Sequence, residues 1–262
     1  MGVVPANTLL RIRSAPQTQC QARGGCPSHP GWCGREREYP GRVLIDILSI
    51  FPEAVEPYLA TSIVGRARRR GIADITVIDP RQWAGGRHKT IDDRPFGGGP
   101  GMVIAAPPVA ACLDYVRTRS AQPRLLMTSP QGRCFDQGWA RELAATPHVA
   151  ILCGHYEGID ERIAEWYKPE LVSVGDMVLS GGELAALIIT DAVVRLLPGA
   201  LGNGESAVAE TDLAAGAYDH PCYTRPRDFR GLHVPEELCS GDHQRIAAWR
   251  EQARQQRAEA NG

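Results

Sequence analysis

The sequence predicts an α/β fold built on a parallel sheet, and three observations carry that expectation. Short apolar runs, LLM at 125–127, VAIL at 149–152 and LVSV at 171–174, are separated by stretches long enough for helices. Each run passes directly into a glycine-bearing turn: SPQG at 129–132, GHYEG at 154–158 and GDMVLSGGE at 175–183. Ligands of parallel sheets bind beyond the carboxyl ends of the strands. Three consecutive glycine-rich strand ends therefore predict one shared pocket in which backbone comes close to a ligand. None of the turns ends in the Gly-Lys-Ser/Thr of a phosphate-binding loop, so the expected ligand is nucleoside-like and carries no polyphosphate.

The elements follow in order. Residues 1–42 are rich in Arg, Gly, Pro, Gln and Cys without periodicity, and read as a disordered extension, with Val43 a plausible true first residue. No secretory signal is expected there, and the spacing of Cys20, Cys26, His29 and Cys33 matches no common zinc module. Residues 43–50 have the pattern of a buried strand. A helix opens at Phe51-Pro52-Glu53 and is expected to run to Arg70 and stop at Gly71. Residues 74–79 read as a second strand, 81–101 as a polar, glycine-rich loop, 107–119 as a helix and 182–197 as an apolar helix. Residues 198–222 read as a mobile linker, and a helix from about 242 to 258 is capped by Asp242 or Ser240. The expected organisation is an α/β domain over 43–197, the linker, and a small helical domain over 223–262.

Composition excludes some classes. The longest apolar region, 184–197, contains Asp191 and Arg195 and is too short to span a membrane. The net charge of −1 leaves any affinity for a polyanion to local patches. Candidate phosphate contacts are Arg66, Arg68, Arg69, Arg70, Arg87, His88, Lys89, Arg225, Arg227 and Arg230, with Tyr223 placed among cations as suits RNA. The eight scattered cysteines form no framework and read as reduced thiols of a cytoplasmic protein.

The densest unusual string is IDDRPFGGGPGM at 91–102. Asp92, Asp93 and Arg94 offer hydrogen bonds, Phe96 a stacking surface, and Gly99 and Gly101 a backbone open to a flat ligand. The competing reading is a surface hairpin tip. In the second turn, Asp160 and Glu161 read as acids at a helix N-terminus, whereas Glu157 lies inside the turn and is a site candidate. His155 is a lone loop histidine, expected to be solvated. Arg195, on the last turn of its helix, serves either the helix dipole or a developing negative charge.

Together the strings IDDRPFGGGPGM, SPQGR, CGHYEGIDER, VGDMVLSGGE, LLPGALGN, YTRP and CSGDH resemble the bacterial tRNA (guanine-N1)-methyltransferase family of the SPOUT superfamily, in that family's order from Val43 to about Arg250. The resemblance implies a C-terminal trefoil knot in the sheet domain and a homodimer whose active site draws on both subunits. It implies S-adenosyl-L-methionine as methyl donor, magnesium as a possible cofactor, and N1 of the guanosine at tRNA position 37 as acceptor. Carried over, the donor pocket comprises Thr128, Ser129, Pro130, Gly132, Gly154, Tyr156, Glu157, Val174, Gly175, Asp176, Met177, Val178, Leu179, Gly181 and Gly182. Asp92, Asp93, Arg94, Phe96, Gly99 and Gly101 would meet the target base. The family's general base is a linker acid; Asp212 is the first candidate and Glu210 the second, and Arg195 would stabilise charge on the guanine O6. A related RNA methyltransferase and a non-catalytic RNA-binding protein are the alternatives. Three departures stand out: the N-terminal 42 residues have no counterpart, the C-terminal string is short, and His155 stands where an arginine is common.

Overall fold

The computed structural model describes residues 42–120, 122–201 and 219–261. The expected extension up to Gly41, most of the linker, and both Asp212 and Glu210 lie outside the described residues. Five parallel strands form one sheet in the order β2-β1-β6-β5-β7: β1 (Val43–Leu48), β2 (Ala73–Ile78), β5 (Arg124–Cys134), β6 (His148–Leu152) and β7 (Glu170–Ser173). Apolar runs become strands here because both faces of the sheet are covered. All five residues of β6, the middle strand, are buried.

Alternation along β1 divides the core. Val43, Ile45 and Ile47 face α1 (Pro52–Leu59), α2 (Ser62–Arg69), α4 (Gln137–Ala144) and α6 (Glu183–Arg195). Leu48 faces the opposite layer, α3 (Ala106–Arg119) and α5 (Glu161–Tyr167). Burying one such side chain contributes about 1.5–3 kcal/mol, so these two layers supply most of the driving force. Asp46 breaks the pattern. It is completely buried, and Nε2 of the buried His148 donates to its Oδ2 at 2.9 Å while Arg119 Nε lies 3.1 Å away. Arg119 Nη2 also donates to Thr76 Oγ1 at 3.1 Å, and Ser120 Oγ meets the other histidine nitrogen at 2.6 Å.

The single helix expected over 52–70 is two helices. Thr61 is extended (φ −104, ψ 163), and Gly65 lies so close to the Ala60 carbonyl that a Cβ would collide with it. The loop over 81–101 contains a 3-10 turn (Pro80–Trp83) and closes as a small hairpin of β3 (Asp92–Asp93) and β4 (Val103–Ile104). Beyond the linker come a second hairpin, β8 (Asp228–Phe229) with β9 (Leu232–His233), a short helix α7 (Glu236–Cys239), and α8 (His243–Asn261). Asp242 caps α8, accepting from the backbone N–H of Gln244 and Arg245 at 2.9 and 3.3 Å.

Candidate nucleoside-binding site

The carboxyl ends of β6, β5 and β7, adjacent in the sheet, converge on a cleft of about 370 Å3. The first wall is an excursion within β5. Thr128 and Arg133 both pair with Val172, so residues 129–132 loop out while the strand resumes beyond them. Gly132 packs directly on the β7 main chain, where a Cβ would strike Val172 N and the Leu171 carbonyl carbon. This explains why Gly132 holds the wall from behind instead of lining the cleft. Thr128, Ser129 and Pro130 do line it.

The second wall is the turn after β6. Thr128 Oγ1 accepts from the Gly154 N–H at 3.1 Å, and the Gly182 N–H donates to the Gly154 carbonyl at 2.8 Å. A Cβ on Gly182 would collide with Thr128 Oγ1, with Cys153 Cα at 2.9 Å and with Gly154 N at 2.9 Å. Three strand ends therefore meet at a point where no side chain fits, which leaves main-chain groups to face a ligand. Tyr156 takes a left-handed conformation (φ 59) inside this turn. The third wall, after β7, brings Val174, Met177, Val178, Leu179, Gly181 and Gly182 to the cleft, while Gly175 and Asp176 lie outside the lining.

His155 is not a solvated loop residue. Its ring packs 4.8 Å from Phe51 and 5.0 Å from Tyr156, and its Nδ1 is buried 3.6 Å from Glu183 Oε2. Glu183 is itself buried at the start of α6 and accepts from Ser49 Oγ at 2.7 Å. Ser49, His155 and Glu183 thus connect the loops after β1, β6 and β7. Only the glycine at 181 leaves room for this approach, since a Cβ there would meet both the imidazole and the carboxylate. Cys153, just before the turn, is buried, and its thiol is pushed well above its usual pKa by that burial, with the Glu183 charge adding to the effect. The sequence offered no signal for this cluster, because Ser49 lies more than a hundred residues before both His155 and Glu183.

The hairpin of residues 92–104 docks against the second turn. Glu157 N–H donates to the Met102 carbonyl at 3.0 Å, Ile104 N–H to the Gly158 carbonyl at 3.0 Å, and the Glu157 side chain fills the space a Cβ on Gly101 would need. Gly101 (φ 81) and Gly99 (φ 121) take backbone conformations suited to glycine. Asp92 and Asp93 form β3, Asp93 accepts from the Arg94 N–H at 2.7 Å, and Phe96 is fully exposed at the tip. The string is a hairpin whose base docks on the turn carrying Glu157, and none of its residues lines the cleft. Asp160 caps α5 and is held ionised below the usual carboxylate range, chiefly by a hydrogen bond from the Arg162 side chain.

Arg195 does not line this cleft. It occupies the last turn of α6, where its charge acts on the Tyr58 hydroxyl, which donates to Asp191 at 3.0 Å.

A three-layer α/β fold with a cleft at the carboxyl ends of β6, β5 and β7 places the chain among parallel-sheet proteins whose ligands bind at that end of the sheet. Residues 43–261 match the family described as tRNA (Guanine-1)-methyltransferase TrmD, and the chain belongs to that family. It is 48% identical over 210 residues to the tRNA (guanine-N(1)-)-methyltransferase of Moorella thermoacetica, covering 79% of this chain and 84% of that one. Identity to the protein of the same name from Geobacter metallireducens is 49% over 205 residues, 78% and 83% of the two chains. The crystal structure of the tRNA (m1G37) methyltransferase from Aquifex aeolicus superimposes with a TM-score of 0.66 at 37% identity, over 79% of this chain and 87% of that one.

Proposed function

We propose that the protein transfers a methyl group from S-adenosyl-L-methionine to N1 of the guanosine at position 37 of tRNA, next to the anticodon. Family membership supports the reaction, and the composition of the cleft carries the choice of donor. Its lining contains no lysine or arginine, two acids in Glu157 and Glu161, and an apolar wall of Pro130, Met177, Val178, Leu179 and Ala185. Such a lining repels a polyphosphate and suits an adenosyl group with a cationic centre. Thr128, Gly154, Tyr156, Gly181 and Gly182 would hold the adenosyl moiety through the main chain. When bound, the donor supplies a methyl group on a positively charged sulfur.

Guanine N1 bears a proton at neutral pH, so a base must remove it as the methyl group transfers. Asp212 is the first candidate for that base and Glu210 the second. Negative charge then grows on O6, where the Arg195 guanidinium stabilises it. Arg195 lies away from its own cleft, so the reading requires a two-fold partner to present it. The α6 stripe of Leu184 and Ile188, both at least half exposed, continues to Asp191 and Arg195 at helical spacing and supports a homodimer through this face. The trefoil knot belongs to the same proposal. It is supported by the path from β6 across β5 to β7 and by the bridge between His155 and Gly181. The segment 223–262 acts as the tRNA-binding domain, and the hairpin with Asp92, Asp93, Arg94, Phe96, Gly99 and Gly101 meets the target base. No helix among the described residues is long and apolar enough to cross a membrane, in keeping with a cytoplasmic site of action. Among the described residues no group of three or more His, Cys, Asp or Glu is placed to hold a metal ion, and no step is assigned to magnesium.

Purified protein with labelled donor and unmodified tRNA tests this reading. We expect 1-methylguanosine at position 37, abolished by Asp212→Ala or Arg195→Ala with donor affinity retained. Transfer to another RNA but not to tRNA would refute the assignment, and two fully active variants would refute the residue roles.

A further inference from the structure

Helix α2 and its cap carry Arg66, Arg68, Arg69 and Arg70, and the four guanidiniums have different fates. Arg68 turns onto α1 and grips Glu56 with a fork, Nη1 to Oε2 at 2.7 Å and Nη2 to Oε1 at 3.2 Å. Its charge is neutralised inside the protein. Arg66 is exposed and makes no ion pair with any described residue. Arg69 and Arg70 are exposed as well, and each donates to a neutral carbonyl, Arg69 to Ala60 at 3.2 Å and Arg70 to Gly199 at 2.7 Å. Positions 66, 69 and 70 share one helical face, so three cations stand together, and among the described residues no carboxylate pairs with them.

Local stability does not account for such a face. The helix dipole favours a cation in the last turn by about 0.3–1 kcal/mol, but each added like charge on the same face works against that gain. The exposed residues of α2 are Ser62, Arg66 and Arg69, followed by Arg70 at its cap. No apolar anchor stands among them, whereas protein-binding surfaces are centred on such anchors. What the face offers is unneutralised, forked hydrogen-bond donors, the chemistry that recognises phosphate. Its position is also specific. Arg70 fastens the face to the Gly199 carbonyl, just beyond the end of α6. The whole protein has a net charge of only −1, so attraction for a polyanion must be local.

We propose that the outward face of α2, formed by Arg66, Arg69 and Arg70, holds the phosphate backbone of the tRNA substrate. This rests on the reading of the protein as a tRNA methyltransferase. Arg68, one residue away in the same run, takes no part.

The test is the salt dependence of binding to unmodified tRNA. For Arg66→Gln/Arg69→Gln, the slope of log Kd against log salt should fall by roughly 1.4–1.8, from about 0.7–0.9 per phosphate contact. The affinity gap to the unaltered protein should accordingly narrow about tenfold between roughly 50 and 200 mM salt. Arg66→Lys/Arg69→Lys and Arg68→Gln should keep the original slope, and all variants should bind the methyl donor within about twofold of the unaltered protein. If the double variant loses donor binding through misfolding, Arg66→Gln alone, whose guanidinium bonds no described residue, carries the test with half the change in slope. An unchanged slope in a folded glutamine variant overturns the surface and leaves the proposed function standing. Failure of the unaltered protein to bind tRNA overturns both.

Discussion

At the amino-terminal end of the sheet, Asp46 meets His148 and Arg119 in the interior, and Arg124 forks onto Glu170 at 2.7 and 2.8 Å with Glu142 at 3.5 Å. At the carboxyl-terminal end, Gly132 and Gly182 press main chain against main chain, and hydroxyls such as Thr128 Oγ1 bridge the turns. The first end pairs its charges with one another. The second leaves backbone N–H and C=O groups, which are polar, fixed in place and uncharged. The difference teaches how one sheet separates holding from binding. Charged pairs staple the strands where nothing must enter, and glycines clear the end where something must.

The sharpest break of this contrast is Asp46→Ala. It leaves the buried His148 ring without its carboxylate partner and Arg119, part-exposed and still 3.9 Å from Asp74, without its nearer one, which costs about 3 kcal/mol of stability, the low end for a buried pair. Denaturant unfolding should show that loss while the folded fraction binds the methyl donor normally. Impaired donor binding in the folded fraction would mean that the two ends are coupled. Next comes Gly182→Ala. Its backbone (φ −82) accepts alanine without strain, so the effect isolates the collision with Thr128, Cys153 and Gly154. A displacement of that kind should lower kcat/KM about 100-fold, or about 2.7 kcal/mol. Wild-type turnover would show that the contact is not needed. The smallest effect belongs to Arg124→Ala, whose partly exposed pairs contribute about 0.2–1 kcal/mol. The hydrogen bond from Arg124 is the chief reason that the Glu170 carboxyl is held below its usual range. A depressed folded-state pKa gives stability that is complete above the ordinary glutamate pKa and lost as pH falls through the lowered value. In Arg124→Ala the acid limb of a stability–pH profile should be shallower; an identical limb would remove Glu170 from the account.

The five strands of the main sheet and most helices were legible in the sequence because they obey local periodicity, whereas the strand pairs of the two small hairpins, β3 with β4 and β8 with β9, were not. The 242–258 helix and its Asp242 cap are read from a polar run and one short side chain, and α8 agrees within a few residues. The break between α1 and α2 was not legible, since it depends on how Gly65 meets the Ala60 carbonyl and not on any strong breaker at 60–61. Of the candidate site, the glycine turns were visible as a pattern, but the role of each glycine was not. Gly132 and Gly182 differ only in what stands opposite their missing Cβ atoms, a tertiary fact. The linkage of Ser49, His155 and Glu183 was invisible for the same reason. The placement of Arg195 away from its own cleft likewise depends on the direction in which α6 runs after Gly182.

A methyl group on a sulfonium alkylates soft, electron-rich atoms readily, and the thiolate form of cysteine is the softest nucleophile a protein chain contains. Under the proposed function, Cys153 stands one residue before Gly154 of the donor cleft, where an exposed thiolate would compete for the methyl group. Burial among hydrocarbon neighbours holds that sulfur protonated and in the core. Under the same proposal, this packing keeps the thiol from competing with the nucleobase.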